Sequence, residues 1–146
     1  MCDILVVLQN AWFTDGQPKS HEEWLQGLWG SVTGQRLKSM LPDQADDVEV
    51  INASPRVGSA PTDSFPPDLE HIRAALTKYR PRVILGCGKL ACNALRELRV
   101  EFITAPHPAW RQLRASNMAW VKETASFALR CRRARDAWAP ERRGPA

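Results

Sequence analysis

Residues 80–98 read RPRVILGCGKLACNALREL. Val83, Ile84 and Leu85 form a short apolar run with β-branched members, the pattern of a strand buried on both faces of a parallel sheet. The run stops at Gly86-Cys87-Gly88, where glycine permits a tight turn and close packing. The period then changes: Leu90, Ala94, Leu95 and Leu98 recur on one face of a helix. A strand feeding directly into an amphipathic helix is half of a βαβ unit. The glycines match neither GxGxxG nor GxxxxGK[ST], so they read as packing glycines and not as a phosphate cradle.

The same alternation continues in both directions. Upstream, DILVVL (3–8) reads as a buried strand, and QNAWFTDGQPKS is a loop broken by Gly16 and Pro18. Ser20 with Glu23 forms a capping box that opens a helix over HEEWLQGLWG. TGQRLKSML is a second helical stretch ending before Pro42, and VEVIN (48–52) is a second strand. Residues 53–66, ASPRVGSAPTDSFP, are too rich in proline and glycine for regular structure; a loop that long is usually functional or mobile. Pro66-Pro67-Asp68 marks a helix start, with Leu69, Ile72, Leu76 and Tyr79 as its apolar stripe. Downstream, VEFITA (100–105) is a fourth strand and PHPAWRQL a loop. Ser116 is placed to cap a last helix whose Met118, Val121, Ala125, Ala128 and Leu129 face inward. Trp24, Trp29 and Trp120 sit at helical spacing and are expected in the core, whereas His21 and His71 are expected on the surface. Strands alternating with helices predict an α/β fold, a three-layer α/β/α sandwich on a four-stranded parallel sheet. Residues 1–139 are expected to form one domain, with 140–146 a frayed basic tail.

Composition supports a globular chain. Of 146 residues, 44% are hydrophobic and 25% charged, enough for one ordinary core. No apolar run reaches the length of a membrane span, and MCDILVVLQN reads as a strand and not as a signal peptide. Cys2, Cys87, Cys92 and Cys131 contain no CxxC pair and no histidine at zinc-finger spacing. The expectation is therefore a cytoplasmic monomer with reduced, mostly buried thiols and no metal or cofactor. The net charge of +4 is carried wholly by residues 130–146, where six arginines face Asp136 and Glu141. Such an end is either a nucleic-acid contact or a solvated helix terminus.

In parallel sheets, ligands bind beyond the carboxyl ends of the strands. The residues expected there are Gln9-Asn10-Ala11-Trp12, Asn52-Ala53-Ser54, Gly86-Cys87-Gly88 and Pro106-His107-Pro108-Ala109-Trp110. No G-x-S-x-G elbow is present, and no carboxylate neighbours His107 in sequence. Two amides, one histidine and several aromatics thus share one edge. Each has a plain alternative: strand-end caps for Asn10 and Asn52, a loop residue for His107.

Three motifs in this order resemble the uracil-DNA glycosylase superfamily: LQNAW after the first strand, VINA at the end of the second and HPAWR after the fourth. VILGCGKLACNAL resembles the strand-helix unit that precedes the last of these, and together they span residues 3 to about 130. The resemblance implies a DNA glycosylase acting on uracil or a related deaminated or modified pyrimidine flipped out of single- or double-stranded DNA. It implies catalytic roles for Asn10 and His107, base contacts from Gln9, Trp12, Phe13 and Asn52, and DNA contacts from Arg56, Pro108, Ala109, Trp110, Arg111 and Leu113. Trp110, Arg111 or Leu113 would wedge into the vacated stack. Asn10 stands where many uracil-excising members carry aspartate and the mismatch-directed branch carries asparagine. Ala11 replaces the usual proline, and Ala109 the usual phosphate-contacting serine. The closely spaced cysteine pair of the iron-sulfur branch is missing, so no cluster is implied. The alternatives are a non-catalytic nucleic-acid-binding module of the same fold, or an enzyme acting on a hypermodified pyrimidine.

Overall fold

The computed structural model describes residues 1–11, 20–60 and 62–142, with side chains described as far as Trp138. Its elements are β1 (Ile4–Leu8), α1 (His21–Trp29), α2 (Val32–Lys38), β2 (Val48–Asn52), α3 (Leu69–Tyr79), β3 (Val83–Cys87), α4 (Lys89–Glu97), β4 (Ile103–Ala105) and α5 (Ala115–Arg142). The strands form one all-parallel four-stranded sheet in the order β2-β1-β3-β4. β1 and β3 lie in the middle and are buried at every residue, which is why their sequences are unbroken apolar runs. β2 and β4 are the edges and are only partly buried.

Side chains alternate across the sheet and divide the core in two. Ile4, Val6, Leu8, Val50 and Leu85 pack with Leu28, Leu37, Val121, Ala125 and Leu129, so α1, α2 and α5 cover one face. Leu5, Val7, Ile51 and Ile84 pack with Ile72, Ala75, Ala94 and Leu95, so α3 and α4 cover the other. The expected α/β/α sandwich is the observed one. The first crossover runs from β1 out to β2 and the second runs back past β1 to β3, so right-handedness puts their helices on opposite faces. The carboxyl ends of β1 and β3 therefore border a topological switch point, where the following chain segments diverge.

Local chemistry sets the element ends. The Ser20 hydroxyl accepts from the Glu23 backbone N–H at 3.1 Å and opens α1. Asp68 caps α3 by accepting from His71 N–H at 3.1 Å. Ser31 caps α2, and the α1–α2 corner closes on Gly34, where a Cβ would stand 1.9 Å from the Leu28 carbonyl oxygen.

Two expectations are corrected along α5. The helix begins at Ala115 and is not capped by Ser116; instead the Asn117 side chain reaches back to accept from Arg114 N–H at 3.1 Å. Trp24 and Trp29 pack against the core, but Trp120 does not: it is 59% exposed. Val121 is the fully buried neighbour, and a one-residue step turns a helical side chain through about 100°.

The basic end of α5 is substantially structural. Arg133 bonds Asp3 at 2.6 Å, and Arg82 bridges Asp3 at 2.9 Å and Asp136 at 2.7 Å. Arg132 meets Glu101 at 2.9 Å. Asp3 is 3% exposed. Burial alone would raise its carboxyl, but the Asp46 backbone N–H and the two guanidiniums outweigh that and hold it below the ordinary carboxylate range. Asp3, Arg82 and Glu101 all precede strands. The arginine-rich part of α5 therefore lies at the amino ends of the strands, opposite their carboxyl edge.

Candidate functional site

Strand register assembles the carboxyl edge. Leu8 pairs with Asn52, Cys87 pairs with Ala105, and Val7 pairs with Gly86, so the four strands finish in nearly one row. Neighbouring strands stand about 4.8 Å apart. Backbone bonds continue past the ends: Ala53 N–H to Leu8 O at 2.8 Å, Ser54 N–H to Gln9 O at 3.0 Å, and Gly88 N–H to Ala105 O at 2.9 Å.

His107 lies over the end of β3. A Cβ on Gly88, whose φ is +91°, would stand 3.3 Å from the His107 Cβ. A left-handed, side-chain-free residue is what lets the imidazole settle here. Its Nδ1 accepts from the Ala109 backbone N–H at 3.1 Å. That bond needs a bare Nδ1, so the neutral ring carries its proton on Nε2 and presents an N–H donor there. Burial lowers the imidazole below its ordinary value, which keeps the ring neutral near pH 7.

The loop that holds His107 is tied at several points. Trp110 N–H donates to His107 O at 2.9 Å. The Arg36 guanidinium of α2 donates to Pro108 O at 3.3 Å and to Trp110 O at 3.0 Å. Pro108 is buried, while Ala109, Trp110 and Arg111 are exposed. Leu113 is placed differently from a surface wedge: it is 8% exposed and packs in the core with Val121. Its apolar neighbours on α5 outcompete water for it.

Asn10 follows β1. Its Nδ2 donates to Ala11 O at 3.2 Å and to Asp63 O at 3.3 Å, leaving a buried Oδ1 that no donor among the described residues reaches. Asp63 is itself fixed, because its carboxylate accepts from Ser59 N–H at 2.7 Å and Ala60 N–H at 3.1 Å. Those two bonds hold its carboxyl below the usual range. Gly58 N–H donates to Ala11 O at 2.9 Å, so the long 53–66 loop is stitched back onto the end of β1. Gln9 Nε2 donates to the Ser64 hydroxyl at 2.8 Å.

Asn52 ends β2 with a second buried Oδ1 that lacks a donor among the described residues. It lines a cleft of 210 Å³ with Ala11, Trp24, Ser54 and His71. His21, on the surface as expected, borders the same cleft, and His71 is half-buried in it. Arg56 is exposed, with its guanidinium 4.3 Å from the Phe65 ring centre. Trp12 and Phe13, read from the sequence as base-stacking residues, lie outside the described residues.

The edge thus gathers Gln9, Asn10, Asn52 and His107, with Ala109, Trp110 and Arg111 beside them. Leu113 and the arginines of α5 are not part of it. Arg36, Asp63 and Ser64 belong to its support, although the sequence drew no attention to them. Arg36 looks like one cation on a solvated helix face, and Asp63 like one turn former among several. Among the described residues, no three His, Cys, Asp or Glu side chains stand together as a metal site would need, and no helix is long and apolar enough to cross a membrane. A larger cleft of 680 Å³ runs along β4 and α5 near the amino ends of the strands, away from these groups. Comparison of the chain with protein-family models, curated proteins and solved structures yields no match.

Proposed function

We propose that the chain is a metal-independent DNA N-glycosylase that takes a flipped-out uracil or related pyrimidine into the carboxyl edge of the sheet. The observation that carries this reading is the His107 imidazole: neutral, with Nδ1 occupied by Ala109 N–H and Nε2–H left as a donor. Breaking an N-glycosidic bond leaves negative charge on the departing base and oxocarbenium character on the sugar. A preorganised donor aimed at that oxyanion is worth about 3–4 kcal/mol in the transition state. A neutral imidazole donates without adding a cation to the site.

Asn10 supplies the complementary function. Its bare Oδ1 accepts from a water and orients it toward the sugar carbon, while its Nδ2 is held by Ala11 O and Asp63 O. An amide cannot take the proton, so the step is slower than with a carboxylate. Asn52 offers the acceptor and donor of one amide to a base edge. The order of the LQNAW, VINA and HPAWR motifs agrees with this assignment.

The test is single-turnover excision of uracil from a defined oligonucleotide, read by alkali cleavage, with hypoxanthine, xanthine and 5-substituted uracils as further substrates. Release of any one base supports the reading, and the panel assigns the preference. Tight binding of these oligonucleotides with no base released at enzyme excess favours a non-catalytic module. The amide at Asn10, in place of a carboxylate, is the observation on which that second reading rests.

A further inference from the structure

Beside the His107 loop lies a cleft of 480 Å³ lined by Pro106, Trp110, Ser116, Asn117, Trp120 and Val121. Its two tryptophans come from different elements, the 106–113 loop and the first turns of α5, and both are exposed: Trp110 46% and Trp120 59%. Two exposed indoles lining one cleft make a contiguous apolar patch, the kind of surface that marks a binding site. The charge carried by this segment itself has one sign. Residues 106–122 contain Arg111, Arg114 and Lys122 and no acid. Lys122 is paired with Asp43, whereas Arg111 and Arg114 make no ion pair among the described residues. Ser116 and Asn117 add hydrogen-bonding groups at the rim, and Asn117 uses only its oxygen, on Arg114 N–H, within the protein.

We infer that this cleft is a second nucleobase subsite, in which Trp110 and Trp120 stack an unpaired base neighbouring the flipped nucleotide, while Arg111 and Arg114 hold its phosphates. The inference rests on the glycosylase reading for the identity of the flipped nucleotide, and it assigns single-stranded DNA as the preferred substrate. A paired base offers its faces only to its own stack, so an aromatic cleft away from the flipping site selects bases that are already free. The cationic flank alone would bind duplex and single strand alike.

The experiment uses the full chain and a fluorescein-labelled oligothymidylate, which has no uracil to excise, so anisotropy reads binding apart from chemistry. The single strand is expected to bind more tightly than the same sequence in duplex. Trp120→Ala should weaken it by about 5- to 150-fold, the loss of one stacked base, and Trp120→Phe should restore most of it. Trp110→Ala, on the other wall, should show the same loss. Phe127→Ala, which removes another exposed aromatic of α5 outside the cleft, should change affinity by less than about twofold. Any of three results overturns the subsite: no binding at micromolar protein, a Trp120→Ala effect under twofold, or an equal loss in Phe127→Ala. Trp120-dependent binding with no base released from the substrate panel would keep the subsite and remove the glycosylase. Excision with Trp120-independent binding would do the reverse.

Discussion

The imidazole of His107 combines three properties that follow from separate neighbours. Gly88 gives it room, Ala109 N–H fixes its tautomer and burial keeps it neutral. If Nε2–H stabilises the leaving base, His107→Ala should cut single-turnover excision by about 10²- to 10³-fold while DNA binding survives. A loss under threefold would remove it from the chemistry. The same geometry predicts its titration. Because the folded imidazole is lowered from about 6.5, the unfolded chain takes up the proton first as pH falls. The contribution of this group to stability is therefore complete above about pH 6.5 and declines below it. Nitrogen-15 NMR should find the Nε2–H tautomer at pH 7 and a midpoint below that of the free side chain; a midpoint above 6.5 would contradict the burial argument. At Asn10 the expected outcome runs in two directions. Asn10→Ala should be about as damaging as the histidine change, whereas Asn10→Asp should preserve or raise the rate, since a carboxylate can also accept the proton.

Elements show where sequence patterns speak and where they are silent. The unbroken apolar runs at 4–8 and 83–87 marked the two central strands because central parallel strands are covered on both faces. The cap at Ser20 was legible because the bond it makes is local; at 66–68 the helix start was legible, but Asp68 proves to be the N-cap, with both prolines ahead of the helix. Trp120 was misread because helical spacing reports which residues share a face, not which face meets the sheet; that is decided by the Val121–Ala125–Leu129 stripe. Leu113 was misread for a related reason, since its burial depends on a helix that begins two residues later. Asn10, Asn52 and His107 could be placed at one edge from strand order alone. Arg36 ties down the His107 loop across 72 and 74 residues of sequence, and Asp63 holds Asn10 across 53; contacts of that range leave no local pattern. At the α1–α2 corner, Gly34→Ala should lower stability by about 1–3 kcal/mol in urea unfolding, because the new methyl meets backbone and not a movable side chain. Wild-type stability in that variant would show that the corner relaxes freely.

Across the whole molecule, charge is divided between two poles. Arg132 and Arg133 are engaged in ion pairs near the amino ends of the strands, whereas Arg111 and Arg114 stand without them beside the site. Arg111→Gln and Arg114→Gln should each lower the salt slope of single-strand binding by about 0.7. Arg130→Gln with Arg135→Gln should leave it unchanged, and a drop in that pair would relocate the DNA track onto α5. Asp3 gives the opposite pole its own pH dependence. Its carboxyl is held low in the fold, so its stabilisation is complete above about pH 4 and is lost as pH falls through the lowered folded value. Asp3→Asn should cost about 3 kcal/mol at pH 7, near the low end for a broken buried pair because Arg82 and Arg133 keep 27% and 32% exposure. The stability gap between the two proteins should narrow as pH falls from 5 to 2, and a constant gap would show that the ion pairs are not its source.

The Asp3–Arg133 bond joins residues 130 positions apart. β1 is made before both of its neighbours: β2 begins at Val48 and β3 at Val83, with Arg82 just ahead of β3, and Arg133, the second cation on Asp3, follows fifty residues after β3 begins. Until residues 82–87 are made, β1 lacks its partner on one edge and Asp3 lacks both of its guanidiniums. Folding during synthesis can therefore settle β1 against β2, but the sheet face that α5 covers stays bare until residues 115–142 have emerged. The nascent chain remains exposed to misassembly for most of its elongation.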